Sequence, residues 1–86
     1  MASDPAEIHD VVVEILKDVS RRPIQPQLES DLIADLGFDS LQVMETVSAL
    51  EDRFDILIPA EEAPRVRTVG QIIDRVSELV RSGSPT

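Results

Sequence analysis

Asp35-Leu36-Gly37-Phe38-Asp39-Ser40-Leu41 places an isolated serine where a glycine-marked loop turns into an amphipathic stretch. Three roles are open to such a serine. To attack a substrate it needs a base to take its proton and, as a rule, donors for an oxyanion. The single histidine, His9, belongs to another segment, nothing marks it as a partner, and Asp39 alone cannot form the relay. Hydrolase activity is therefore set aside, and no residue is assigned as catalytic. As a helix cap, Ser40 would accept a hydrogen bond from an exposed backbone amide. By spacing alone this structural role is the stronger one. Asp39 can cap equally well, which would leave Ser40 in the first turn with its hydroxyl accessible. The third role is attachment of a phosphodiester. A helix start offers unpaired amides and the positive end of the helix dipole, so a phosphate is well placed there. The neighbouring acids disfavour stray anions, but a covalent bond removes the need for affinity.

Composition narrows the field. The absence of cysteine means no disulfide, no thiol nucleophile and no thiolate metal site. No ligand cluster surrounds His9, so no metal site is assigned. With 17 acidic against 8 basic residues the formal net charge is −9. That argues against nucleic acid, whose phosphates need a positive surface. Anionic membrane is disfavoured for the same reason, and no stretch approaches the length of a membrane span, so stable membrane insertion is not expected. The N-terminus lacks the basic-then-apolar pattern of a signal peptide, which makes the cytoplasm the expected location. The charge either serves solubility alone or steers partners that carry basic patches. It also favours a monomer, although an exposed Leu41 and Met44 edge could support weak association.

Something must hold the serine. At 86 residues with 42% hydrophobic content, the chain suffices for one small domain with one core. Phe38 and Phe54 are the only aromatics, so the core is built from Leu, Ile and Val. Asp4-Pro5-Ala6-Glu7 reads as a helix start, with Asp4 as cap, Pro5 at the first helical position and Glu7 completing a capping box. Ile8, Val11, Val12, Ile15, Leu16 and Val19 follow at three- and four-residue spacing and make one apolar face. Pro23 stops this helix, and Pro26 keeps the following chain out of it.

Residues 21–39 form a long connection in which Leu28, Leu32 and Leu36 repeat every four residues. A short helix or turn, packed down by its leucines, is expected there, ended by Gly37 at positive φ. The second helix begins at Asp39 or Ser40 and runs to about Phe54. Val43, Val47, Leu50 and Phe54 make its inner face, with Leu41 and Met44 near the edge. Ile56-Leu57-Ile58 has no strand partner and is not read as a strand. Pro59 to Ala63 reads as a short helical turn that Pro64 ends. Thr68, with Gln71 three residues on, caps the last helix, whose face is Val69, Ile72, Ile73, Val76 and Val80. The reading is all-α: a small four-helix bundle of three main helices and a short third one, with a long loop between helices one and two. A single domain fills 1–86, with its core at about 5–81 and a frayed tail over 82–86.

The ordered set of motifs resembles the acyl carrier proteins and related phosphopantetheine-carrying domains. Asp35 to Leu41 is similar to their attachment motif. Val43-Met44-Glu45, Leu50-Glu51-Asp52-Arg53-Phe54, Ile58-Pro59 and Thr68-Val69 follow at positions such proteins use. The likeness spans about residues 6–80. It implies that Ser40 receives 4'-phosphopantetheine from coenzyme A through a separate phosphopantetheinyl transferase that works with magnesium. The serine oxygen attacks the β-phosphate and 3',5'-ADP leaves. Asp39 matches the acidic residue that helps present the serine, and the magnesium belongs to the modification complex. Acyl groups would then ride on the arm's thiol as thioesters to acyl-processing enzymes, with no turnover by the carrier itself. The resemblance also implies docking through Leu41 and Met44. Glu45, Glu51, Asp52, Glu61 and Glu62 would meet basic patches on those enzymes, although any one of these acids is equally explained as a solvated face. A carried chain would slip between the helices against Val43, Val47, Leu50, Ile58, Ala63 and Ile72, whose first duty is packing.

Departures from the bacterial fatty-acid carriers concern cargo rather than fold. Gln42 stands where those proteins usually show an acid. Phe38 replaces a small residue and either packs on the loop or meets a partner beside the arm. Pro64, Arg65 and Arg67 make the third-helix region proline-interrupted and more basic, and Pro23 and Pro26 mark the first loop. The expected function is a discrete acyl carrier in fatty-acid or specialised-lipid synthesis. A carrier of aminoacyl or polyketide units stays open, as does an acidic helical adaptor that is never modified. The start at Met1 and the short polar tail read as a free-standing protein.

Overall fold

The computed structural model describes residues 4–82. These form α1 (Pro5–Val19), α2 (Ser40–Phe54), a short 3₁₀ helix (Ala60–Arg65) and α3 (Val69–Ser82). This is the expected all-helical bundle with its long first connection. Among the described residues the only β pairing is an isolated antiparallel bridge between Asp31 and Thr68. Of the tail expected to fray, Ser82 ends α3 and residues 83–86 lie outside the described residues.

Polar residues fix where the helices start. Asp4 caps α1 by accepting the Glu7 N–H at 2.8 Å. Asp39 and Gln42 cap α2 reciprocally. Thr68 and Gln71 do the same for α3, each side chain accepting the other's backbone N–H at 3.1 and 3.2 Å. Such bonds satisfy amides that a helix start leaves unpaired. α1 packs against both α2 and α3, and its Ile8, Val12 and Leu16 meet Leu50, Val69, Ile72 and Val76 in one core. Five loop residues complete that core: Leu32, Leu36, Phe38, Ile56 and Ile58. Burial of these side chains makes the loops part of the packed domain rather than tethers.

The structure corrects the sequence reading in three places. The first is Leu28, which is exposed. No helix forms in the 21–39 connection, and of its three leucines only Leu32 and Leu36 are buried. The main chain, not the side chain, anchors position 28, because its carbonyl accepts the Gly70 N–H at 2.9 Å. A Cβ on Gly70 would stand 3.1 Å from that oxygen, so glycine permits the approach.

The second correction concerns α2, whose buried line is Gln42, Thr46 and Leu50, with Val43, Val47 and Phe54 only half-buried. One residue turns a helix by about 100°, so the apolar stripe is offset from the face that meets α1. Gln42 and Thr46 tolerate burial because both are bonded: Gln42 donates to the Val19 carbonyl at 3.2 Å and Thr46 to the Gln42 carbonyl at 2.9 Å. The third is Pro64, which lies inside the short helix rather than ending it. The bonds at its two ends, Glu62 N–H to the Pro59 carbonyl and Val66 N–H to the Ala63 carbonyl, do not need the N–H that proline lacks.

Candidate functional site

Ser40 is the first residue of α2 and is exposed. The cap belongs to Asp39, whose Oδ1 accepts the Gln42 N–H at 2.8 Å while Gln42 Oε1 accepts the Asp39 N–H at 3.1 Å. The alternative left open by the sequence is thereby resolved. With its neighbour as cap, Ser40 Oγ has no hydrogen-bond partner among the described residues.

The approach to the serine is braced from below. Asp31 Oδ1 accepts the N–H groups of Ile33 and Ala34 at 2.9 and 2.8 Å, and Asp35 Oδ2 accepts the Asp31 N–H at 2.7 Å. The Ala34 amide, then the Ile33 amide and the Arg67 guanidinium 3.4 Å away, hold the Asp31 carboxyl below the usual carboxylate range against the opposing pull of desolvation. Gly37 turns the chain at φ 77, a backbone conformation that favours glycine. Phe38 then drops into the core, only 3% exposed, and its N–H donates to the Leu32 carbonyl at 2.9 Å. Of the two roles open to Phe38, packing is the one it takes.

Beside Ser40 opens a groove of about 610 Å³. Val43, Met44 and Val47 of α2 form one wall; Ala60, Ala63 and Pro64 of the short helix form the other. Leu32, Ile33, Ile58 and Val66 close it, with Asp31, Ser48, Glu51 and Arg67 as polar lining. A smaller void of about 20 Å³ continues the space inward to Leu50, Ile72 and Val76. All six residues expected to surround a carried chain line this inner void, and Val43, Val47, Ile58 and Ala63 line the groove as well.

The residues expected to meet partners divide into two groups. Leu41 and Met44 are 58% and 64% exposed on the serine's side of α2, and Glu45, Asp52 and Glu61 are exposed too. Glu51 and Glu62 are already engaged within the chain. Glu51 Oε2 accepts the Ile58 N–H at 2.8 Å, pinning the loop after α2. Both oxygens of Glu62 accept from Arg75 of α3, at 2.5 and 2.8 Å. Gln42 and Arg75 are the residues the sequence reading missed. For Gln42 the signal was present, since Asp39 with glutamine three residues on is a capping-box pattern. The pairing of Arg75 with Glu62 gave no local signal, because the two side chains lie on different elements.

The family profile described as the phosphopantetheine attachment site matches residues 10–76. An acyl carrier protein of Wolinella succinogenes is 46% identical over 67 residues, covering 78% of this chain and 84% of the relative. An acyl carrier protein of Streptomyces coelicolor is 40% identical over 74 residues, covering 86% and 78%. The crystal structure of an acyl carrier protein from Thermotoga maritima superposes with a TM-score of 0.80 at 27% identity, covering 93% of this chain and 94% of that one. Proteins of this kind bear 4'-phosphopantetheine and deal with phosphopantetheinyl transferases and acyl-processing enzymes. A match over most of the length, on the same fold, settles the family: the chain belongs to the phosphopantetheine-bearing acyl carrier proteins, which carry acyl groups and are not themselves catalysts.

Proposed function

We propose that Ser40 is the attachment point of the 4'-phosphopantetheine arm, and that the groove opening beside it shelters the carried chain. The observation that carries this reading is an exposed hydroxyl, freed from capping by Asp39, on the rim of a groove lined mainly by aliphatic side chains. A phosphodiester on Ser40 would sit at the positive end of α2, near amides that end the helix. The arm, once attached, supplies the thiol that this cysteine-free chain lacks and holds cargo as a thioester. Asp39 keeps the first turn formed, so that a transferase meets the hydroxyl in one geometry.

The inner end of the groove, at Leu50, Ile72 and Val76, suits an aliphatic tail. That favours fatty-acid or specialised-lipid synthesis over aminoacyl cargo. Docking would use the Leu41 and Met44 patch with Glu45, Asp52 and Glu61 around it, meeting basic surfaces on acyl-processing enzymes. Glu51 and Glu62 would contribute mainly by holding the groove together. A reducing cytoplasm would keep the arm's thiol free, and the net charge of −9 favours a monomer.

Intact mass after incubation with coenzyme A, magnesium and a broad-specificity phosphopantetheinyl transferase tests the reading. One phosphopantetheine-sized gain is expected, and none in Ser40→Ala. Since Ser40 is not the cap, that variant should keep its stability within about 0.5 kcal/mol. Undiminished labelling of folded Ser40→Ala would overturn the assignment.

A further inference from the structure

Arg75 ties the short helix to α3, and we propose that the Arg75–Glu62 ion pair sets how deep a carried chain can reach, making it the device that limits cargo length. This inference rests on the groove being the acyl site, as proposed above. The short helix forms one wall of the groove yet buries none of its own residues. A 3₁₀ turn also has poorer hydrogen-bond geometry than an α-helix. Its position therefore depends on what fastens it from outside. Arg75 Nε and Nη2 donate to the two oxygens of Glu62, the paired arrangement in which guanidinium and carboxylate bind best. The two side chains are only 33% and 25% exposed, so salt screens them less than a surface pair. Arg75 Nη1 also donates to Glu78 at 2.9 Å. That bond lies within α3 and orients the guanidinium without bridging elements.

The same arginine closes the groove. The inner void, of about 20 Å³, is walled by Leu50, Ile72, Val76 and Arg75. A void of this size holds roughly one water, hence no more than the tip of a chain. The groove and the void share Val43, Val47, Ile58 and Ala63, so one leads into the other. A chain too long for the groove must push back the wall that carries Ala63, and Glu62 on that wall is fastened to Arg75.

The test loads Ser40 with saturated acyl-phosphopantetheine from butyryl to palmitoyl and follows the urea midpoint at each length. A buried chain stabilises the folded state, so the wild-type midpoint should rise with length and then stop. Glu62→Gln leaves the lining of the void intact and weakens the clasp; its midpoint should go on rising for at least one further two-carbon step. Arg75→Lys, which keeps the charge and loses the fork, should fall between the two. Glu78→Gln should stop where wild type stops. If Glu62→Gln stops at the wild-type length, or Glu78→Gln shifts as far as Glu62→Gln, the clasp is overturned and the groove reading stands. If the wild-type midpoint ignores chain length altogether, the groove reading falls and the clasp with it.

Discussion

Two stretches flank the groove, residues 31–39 leading into α2 and residues 55–68 leading into α3, and they are secured by different means. The first is nailed down. Leu32, Leu36 and Phe38 are each at most 5% exposed, Asp31 gathers two backbone amides, and the Asp39–Gln42 box closes the end. The second has buried anchors only near its start, at Ile56 and Ile58. Beyond them the short helix buries nothing and leans on Glu62 and Arg75. On the proposed reading, a transferase has to find one hydroxyl in one place, whereas chains of different size have to fit one groove. Deeper burial on the serine side and sparser burial on the far side match those two demands.

The largest expected effect contrasts the two sides directly. Phe38→Ala should destabilise by about 3–5 kcal/mol, the usual consequence of emptying a buried aromatic site. Leu57→Ala, on the other stretch and 65% exposed, should stay within about 0.5 kcal/mol. Urea unfolding of both variants decides it, and similar losses would break the contrast. Next in size is Gly37→Ala. Its φ of 77 places a side chain in a region that strains the backbone by about 1–3 kcal/mol. The Arg22 guanidinium also lies where the new Cβ would go, but it is the far end of a flexible side chain. The same loss is therefore expected in an Arg22→Ala background. Disappearance of the loss there would mean that crowding, not backbone strain, is responsible.

How much of this was legible in the residues varies along the chain for physical reasons. Helix starts were legible because caps are local: Asp4, Asp39 and Thr68 each act over three residues. Ser40 was legible only in part. Its position followed from the pattern, but its freedom depended on whether Asp39 or Ser40 caps, which spacing cannot decide. Apolar periodicity found Leu50, Ile72 and Val76, which the structure buries. The same rule missed Gln42 and Thr46, because burial of a polar group depends on partners elsewhere, here the Val19 carbonyl at the end of α1. It also misplaced Leu28, where main-chain bonding to Gly70 overrides the leucine repeat. The clasp between Glu62 and Arg75 was out of reach, since a pair spanning thirteen residues has no local signature.

A smaller effect separates the two neighbours at the head of α2. Asp39→Ala removes the cap and should destabilise by about 0.5–2 kcal/mol. Ser40→Ala should be near neutral while abolishing modification. Urea midpoints and intact mass, taken on both variants, sharpen the comparison, because a stability loss at Ser40 equal to that at Asp39 would place capping and attachment on the same side chain.

The smallest effect is a change of slope with pH, and it tests the bracing of the serine side alone. The amides of Ala34 and Ile33, with Arg67, hold the Asp31 carboxyl below its ordinary 3.8. Its unfolded form therefore takes up a proton first as the solution is acidified. The stability it contributes is complete above the ordinary value and is lost as pH falls through the lower, folded one. Asp31→Asn keeps an oxygen for the two amides but has no charge to lose. Wild type should be the more stable protein at neutral pH, and its lead should shrink below about pH 4, the ordinary carboxylate range. Urea titrations across that interval read the difference. Parallel curves would show that the amides hold the neutral side chain as well as the charged one. Added salt divides the effect further. It screens the exposed Arg67 but leaves the short bonds to Ile33 and Ala34 in place. A lead that persists in high salt assigns the bracing to the backbone, and one that vanishes assigns it to the arginine.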